Sequence, residues 1–273
     1  MNATTARERG FALLIVLWTV VLLALLVTQL TASGRAEAQL AFNLRAAAVA
    51  EAAADGALSE GVFHALDSSE RHWRADGVAH VVRLPSAVVE VRIDNEAGKI
   101  NINSASPELL AALLRAVDTD TGTSTTLSAA IVDWRFVDAQ RGGGAKTAAY
   151  RNAGRNYGPP SAPFRSVQEL GLVIGMTPAL LARLSPHLTV YHDGEPDYSV
   201  ADSVVRQALR TATGTDPARQ PSGGNPEETV VAVTARAVAN GGGSFVRRAV
   251  VSLGMNKQGG SLFQTLTWGS AER

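Results

Sequence analysis

The sequence predicts an α+β protein: a long N-terminal helix packed on an antiparallel sheet, with a large helical domain inserted in that sheet. Three observations carry this reading. An uncharged apolar run, Phe11 to Val27, leads without proline into an alanine-rich stretch ending near Leu66. Val89, Val91 and Ile93 alternate with Glu90, Arg92 and Asp94, the pattern of a half-buried strand, and a run of strands follows beyond residue 228. Between the two strand regions lie roughly a hundred residues dominated by helix start signals.

The first element begins at the membrane. Phe11 to Leu30 covers 20 residues, about 30 Å as a helix, which matches a hydrocarbon core. A cleaved secretory signal has a shorter apolar stretch, although Ala32, Ser33 and Gly34 form a tolerable cut site. A plain uncleaved anchor is the third reading. Arg7 and Arg9 favour a start on the cytoplasmic side and the bulk of the chain beyond the membrane. Residues 31–94 are expected to hold the outer half of the helix and the first strands. Leu40 and Leu44 are four apart, as are Leu58, Val62 and Leu66, so each set shares a helix face. Gly34, Gly56 and Gly61 weaken the helix locally.

Val78 to Leu84 reads as a strand partner for 88–94, with Pro85 and Ser86 as the turn. The inserted helical domain is expected over 95–215. Ser106, Pro107 and Glu108 form an N-cap, first-turn proline and first-turn acid before LLAALLRA. Leu127 to Phe136 is the next helix. Residues 138–163, with three consecutive glycines and Pro159, Pro160 and Pro163, read as a long loop. Ser166 and Glu169 fit a capping box. Thr177 and Pro178 open a helix through Leu184, HLTVY (187–191) has strand character, and 198–210 is a further helix. Residues 211–228 form a linker. The remaining strands, within 216–273, are 229–239, 244–253 and 261–268, with a glycine-rich turn at 240–243.

Composition narrows the function. The formal net charge is zero, which argues against a basic nucleic-acid coat or an acidic tail. Cysteine is absent, so disulfides, thiolate metal sites and cysteine catalysis are excluded. No Ser/His/Asp or paired-carboxylate arrangement stands out, and no enzyme is predicted.

Arg9-Gly10-Phe11 followed directly by the apolar run resembles the class III signal of type IV pilins and type II secretion pseudopilins. The resemblance implies a leader over 1–10, cut by a prepilin peptidase between Gly10 and Phe11, and N-methylation of Phe11. Further stretches run in order along the chain: Ala50–Ala57 (AEAAADGA), Glu96–Ser104 (EAGKININS), Ile131–Arg135 (IVDWR), Phe164–Leu170 (FRSVQEL), Gly175–Pro178 (GMTP) and Leu188–Tyr191 (LTVY). Together they resemble the large minor pseudopilins of type II secretion, the general secretion pathway protein K class. That class implies a pilin-like fold and a place at the tip of the pseudopilus. Expected partners are minor pseudopilins of the I and J classes, the major pseudopilin, the prepilin peptidase and the inner-membrane secretion platform. The expected location is the bacterial inner membrane, crossed once, with the bulk in the periplasm. Leu40, Leu44, Leu58 and Val62 are expected at contacts with the other minor pseudopilins. Most pilins carry Glu at the fifth position after the cut, where it meets the terminal amine of the subunit ahead. Here that position is Ile15. A lone carboxylate in lipid is costly without its partner, so a subunit with no neighbour ahead has no use for one.

Other constellations are weaker. Asp118 and Asp120 before Gly122 resemble part of a calcium loop but lack its third ligand and its terminal Glu. No cofactor is required; calcium stays a candidate because some K-class proteins are thought to bind it in the helical domain. Arg141 to Thr147 fails as a phosphate loop, since Gln140 and Ala145 stand where glycines are needed. His187, His192 and Asp193 share no helix face. Asn101–Ser104 with Pro107–Leu110, and Val173–Thr177, resemble helix-hairpin-helix DNA binders, which gives the rival reading of a membrane-anchored DNA receptor of a competence-like system. Thr177 occupies the hairpin position usually held by glycine, and residues 96–195 carry nine Lys or Arg against nine Asp or Glu. That balance disfavours a phosphate-binding surface.

Overall fold

The computed structural model describes residues 5–67, 69–136, 143–214, 228–255 and 261–270. One helix, α1 (Thr5–Leu66), runs unbroken from the N-terminal segment onto the sheet. The sheet has the order β1-β2-β5-β6-β7, from β1 (His80–Arg83), β2 (Ala87–Asn95), β5 (Glu228–Ala239), β6 (Ser244–Met255) and β7 (Ser261–Ser270), all antiparallel. The chain leaves the sheet after β2 and returns at β5. The α+β class and the inserted helices are therefore as the sequence predicts.

The helix lies close to the sheet because both surfaces are small. Ala50, Ala53, Ala54 and Ala57 of α1 are buried against Ala235, Ala237 and Ala249 and the valines between them. A Cβ on Gly61 would stand 2.9 Å from a methyl of Val91 and 3.0 Å from one of Val233. Leu58 and Val62 complete this face and are 0% and 6% exposed, each worth about 2 kcal/mol of apolar burial. They belong to the chain's own core and not to contacts with partner subunits, the place the family resemblance implied for them. Leu40 and Leu44, 59% and 62% exposed, remain open. Arg247 of β6 ties the layers electrostatically. Its Nε donates to Asp55 at 2.5 Å and its Nη2 to Glu51 at 2.8 Å, both on α1, while its guanidinium lies 4.7 Å over the Phe245 ring. The two carboxylates raise the Arg247 pKa further above its ordinary value.

The helical insert has its own core. It contains β3 (Ile100–Asn101), α2 (Pro107–Ala116), α3 (Thr121–Arg135), α4 (Gly143–Asn152), a 3-10 segment (Val167–Leu172), α5 (Pro178–Leu184), β4 (Leu188–Thr189) and α6 (Ser203–Thr213). β3 and β4 pair in parallel and bring the two ends of the insert together. α2 and α5 start as predicted: Ser106 Oγ accepts from Leu109 N, and Thr177 Oγ1 from Leu180 N.

Four local expectations need correction. α3 starts at Thr121, six residues before the predicted helix, because Asp120 caps it and Ser124, Thr125 and Thr126 bond back to carbonyls one turn earlier. The predicted loop at 138–163 contains α4, anchored by Tyr150, which is buried beside Trp134 and Tyr157; residues 138–142 of that call lie outside the described residues. Ser166 makes no capping bond, and Glu169 accepts from Arg165 N instead. α6 starts at Ser203 rather than 198, since Asp202 caps Val204 and Val205 while Asp197 holds Ser199 in a separate turn. Most of the predicted linker, 215–227, also lies outside the described residues.

Candidate functional site

The N-terminal half of α1 has the length and composition of a membrane span. Every described side chain from Phe11 to Arg45 is exposed, and packing begins at Ala46. Among the described residues, one helix, near the N-terminus, is long and apolar enough to cross a membrane, with a mean hydropathy of 2.7 in its most apolar stretch. No charge occurs between Arg9 and Arg35. The hydroxyls of Thr19 and Thr28 donate to the carbonyls of Val16 and Ala24, each at 2.8 Å, so neither meets lipid unbonded. Phe11 is 69% exposed and Ile15 49% exposed. The Gly10–Phe11 bond lies inside the helix, which begins at Thr5.

The sequence stretches that resemble the protein K class mostly form scaffold within the insert. Asn103 bridges to the chain at Phe164 in both directions: its Nδ2 donates to Phe164 O at 2.9 Å and its Oδ1 accepts from Phe164 N at 2.7 Å. Asn101 donates to His192 O, and Arg135 donates to the carbonyls of Ile102 and Ala105. Burial lowers the Arg135 pKa. Trp134 stacks on Phe164 with centroids 5.9 Å apart. Asn103→Ala would leave a buried N–H and C=O at Phe164 without partners, so a loss of about 2–3 kcal/mol is expected in denaturant unfolding.

At the junction with the sheet, Glu96 is 1% exposed and binds Lys99 Nζ at 2.6 Å and Arg248 Nη2 of β6 at 3.2 Å. Sequence reasoning missed this anchor, because Arg248 lies 152 positions away. A second feature had no signal in the sequence. Trp73 is sandwiched between His64 and His80, with centroids 4.3 and 4.2 Å away. It closes the loop between α1 and β1.

The metal candidates do not assemble into a cluster. Asp120 spends one oxygen on the amide of Thr123 at 2.9 Å, and hydrogen bonds from the backbone and side chain of Thr123 hold its pKa below the ordinary carboxylate value. Asp118 sits in the preceding turn with a positive φ of 61°. Among the described residues no group of three or more His, Asp or Glu side chains could hold a metal ion. His192 Nε2 bonds Lys99 O at 2.9 Å, and His187 Nδ1 bonds Asp202 Oδ2 at 2.7 Å.

The His187–Asp202 pair makes a pH prediction. Burial pushes the Asp202 carboxyl up, but the His187 hydrogen bond and the amides of Val205 and Val204 outweigh it and leave the pKa lowered. A lowered folded pKa gives stability that is fully present above the unfolded value and lost as pH falls through the folded one. Asp202→Asn is therefore expected to melt below the parent chain at neutral pH, with the gap closing only below about pH 4. Melting curves of both chains across that range check this.

Two amides of the hairpin at Val173–Thr177 bond within the fold. Ile174 N donates to the Tyr150 hydroxyl at 3.1 Å, and Met176 N to Val173 O at 3.1 Å. Gly175 takes φ +88° to make the turn. These two amides are therefore engaged inside the fold.

Comparison with known proteins bears on what this architecture serves. Residues 86–193 match the family model described as type II secretion system (T2SS), protein K. No curated protein sequence matches the chain. Among solved structures, a chain in the crystal structure of the GspK–GspI–GspJ complex from the enterotoxigenic Escherichia coli type 2 secretion system is similar in fold. The TM-score is 0.62 at 13% identity, covering 88% of this chain and 100% of that one.

Proposed function

We propose that this chain is a minor pseudopilin of the type II secretion protein K class that starts or caps the pseudopilus at its tip, a reading supported by the match of residues 86–193 to the protein K family model. The observation that carries this is the uncharged span. Ile15 stands at the fifth position after the proposed cut, and no side chain between Arg9 and Arg35 could neutralise the amine of a subunit ahead. The helical insert supports the same place, since its bulk beside the sheet would hinder stacking from above. In this reading the prepilin peptidase cuts between Gly10 and Phe11 and methylates Phe11. The span then holds the protein in the inner membrane, with the sheet and insert in the periplasm, until assembly replaces lipid by helix–helix packing.

The partners follow from the same reading. The similar structure is of a complex of GspK with GspI and GspJ, so minor pseudopilins of the I and J classes are the expected neighbours here, with the major pseudopilin below and the inner-membrane platform at the base. The filament would drive folded proteins across the outer membrane. Calcium, if it binds, would do so near Asp118 and Asp120, and titration calorimetry decides that point. The leading test is mass spectrometry of the membrane-extracted protein from cells that contain a prepilin peptidase. A methylated Phe11 start is expected, and a chain beginning at Met1 would overturn the reading.

A further inference from the structure

The two edges of the five-stranded sheet differ in kind. β1 is four residues long and ends in Arg83. β7 is ten residues long, and SLFQTLTWGS contains neither a charge nor a proline. It is the last strand of the sheet, and no strand lies beyond it among the described residues. Natural edges are usually blunted by charge, proline or brevity, because an open row of backbone N–H and C=O groups recruits another strand. β7 uses none of these three, and its one irregularity is a register shift at Leu266.

Its side chains add a direction. Phe263 lies opposite Leu253 and Trp268 opposite Ala249, so both face the side of the sheet that α1 covers. α1 packs chiefly on β2, β5 and β6. Phe263, Leu266 and Trp268 are accordingly 57%, 40% and 48% exposed. A register shift between Val250 and Val251 leaves Leu266 without a partner and divides the edge into 261–265 and 267–270.

We propose that β7 receives an extended strand from another minor pseudopilin, which joins the sheet as one more strand. The inference rests on the minor-pseudopilin reading given above. A second copy of this chain is a poor occupant. Antiparallel pairing of two β7 edges needs a twofold axis normal to the sheet, which reverses α1 in one copy and turns its Phe11–Leu30 span away from the membrane. Parallel self-pairing about an axis along the strand swaps the faces, setting Phe263 and Trp268 of one copy beside Gln264 and Thr267 of the other. A different minor pseudopilin need not offer the equivalent strand, so its own span can still point to the membrane and its own face pattern can match. The fitting segment is uncharged, with apolar residues on the Phe263 and Trp268 face and small or polar residues on the other.

Amide hydrogen exchange on the full chain tests this, alone and in complex with co-expressed I-class and J-class proteins. The β7 amides are expected to exchange freely in the lone chain and to become protected in the complex. Leu266→Lys is expected to lower complex recovery on the order of tenfold, about 1.4 kcal/mol. Val81→Lys on β1 should leave recovery unchanged, and equal melting temperatures of the two variants exclude misfolding as the cause. If the parent chain forms no complex at all, the minor-pseudopilin reading fails. A complex that forms while β7 stays unprotected overturns this inference alone. Protection of β7 already in the lone chain also overturns it, since the edge is then covered from within.

Discussion

A chain carrying Gly10→Leu is expected to remain uncut, with Met1 still present and Phe11 unmethylated after membrane extraction. Two physical reasons combine. The bond lies within α1, which is helical from Thr5, so a peptidase must open the helix to reach it. Glycine makes that opening easier by about 1 kcal/mol relative to alanine, and leucine behaves nearly like alanine in a helix. Leucine also adds bulk next to the scissile carbonyl. Gly10→Ala separates the two effects, because it removes the conformational freedom but keeps the side chain small. It is expected to slow processing about fivefold, the rate equivalent of 1 kcal/mol, without abolishing it. Normal maturation of Gly10→Leu, read by mass spectrometry of the N-terminal peptide, would count against the whole pseudopilin assignment.

The fold was legible where periodicity and caps agree with tertiary packing. Val89, Val91 and Ile93 alternate in sequence and are all fully buried in the sheet. Ser106 and Thr177 cap the helices that their positions announced. The misses have two causes. At α3 and α6, local caps by Asp120 and Asp202 set starts that the apolar pattern does not mark; α4 is poor in helix signals and is held by Tyr150, whose ring packs against Trp134 and Tyr157. Leu58 and Val62 show the limit of a spacing argument: it gives a face but not what covers it. The stretches that resemble the protein K class were recognisable as a family pattern, yet their work is to staple the insert. Asn103 reaches Phe164 and Arg135 reaches Ile102 and Ala105 across 61, 33 and 30 positions, distances over which no local rule operates.

Helix–sheet contact can be tested with two glycines of opposite character. Gly243→Ala is expected to destabilise the protein by about 2–3 kcal/mol, near the upper end for overpacking. Its Cβ would stand 2.4 Å from the carbonyl carbon of Ala46, 2.5 Å from the oxygen and 2.7 Å from Ala47 N. These are backbone atoms of a helix and cannot rotate aside. The β5–β6 turn must lift, and it carries Ala239 N–H to Gly243 O at 2.8 Å with it. Gly56, in contrast, has nothing within 4 Å of its Cβ position and sits in the interior of α1. Gly56→Ala should therefore stabilise by about 1 kcal/mol through helix propensity alone. Residues 46 and 56 are about 15 Å apart along the helix, so the two effects should add within about 0.5 kcal/mol in the double variant. Urea unfolding of the three variants supplies the comparison. A Gly243→Ala chain as stable as its parent would mean that the hairpin does not rest on α1 at Ala46, and with that contact gone the point where the free helix becomes the packed helix would have to move toward Ala50.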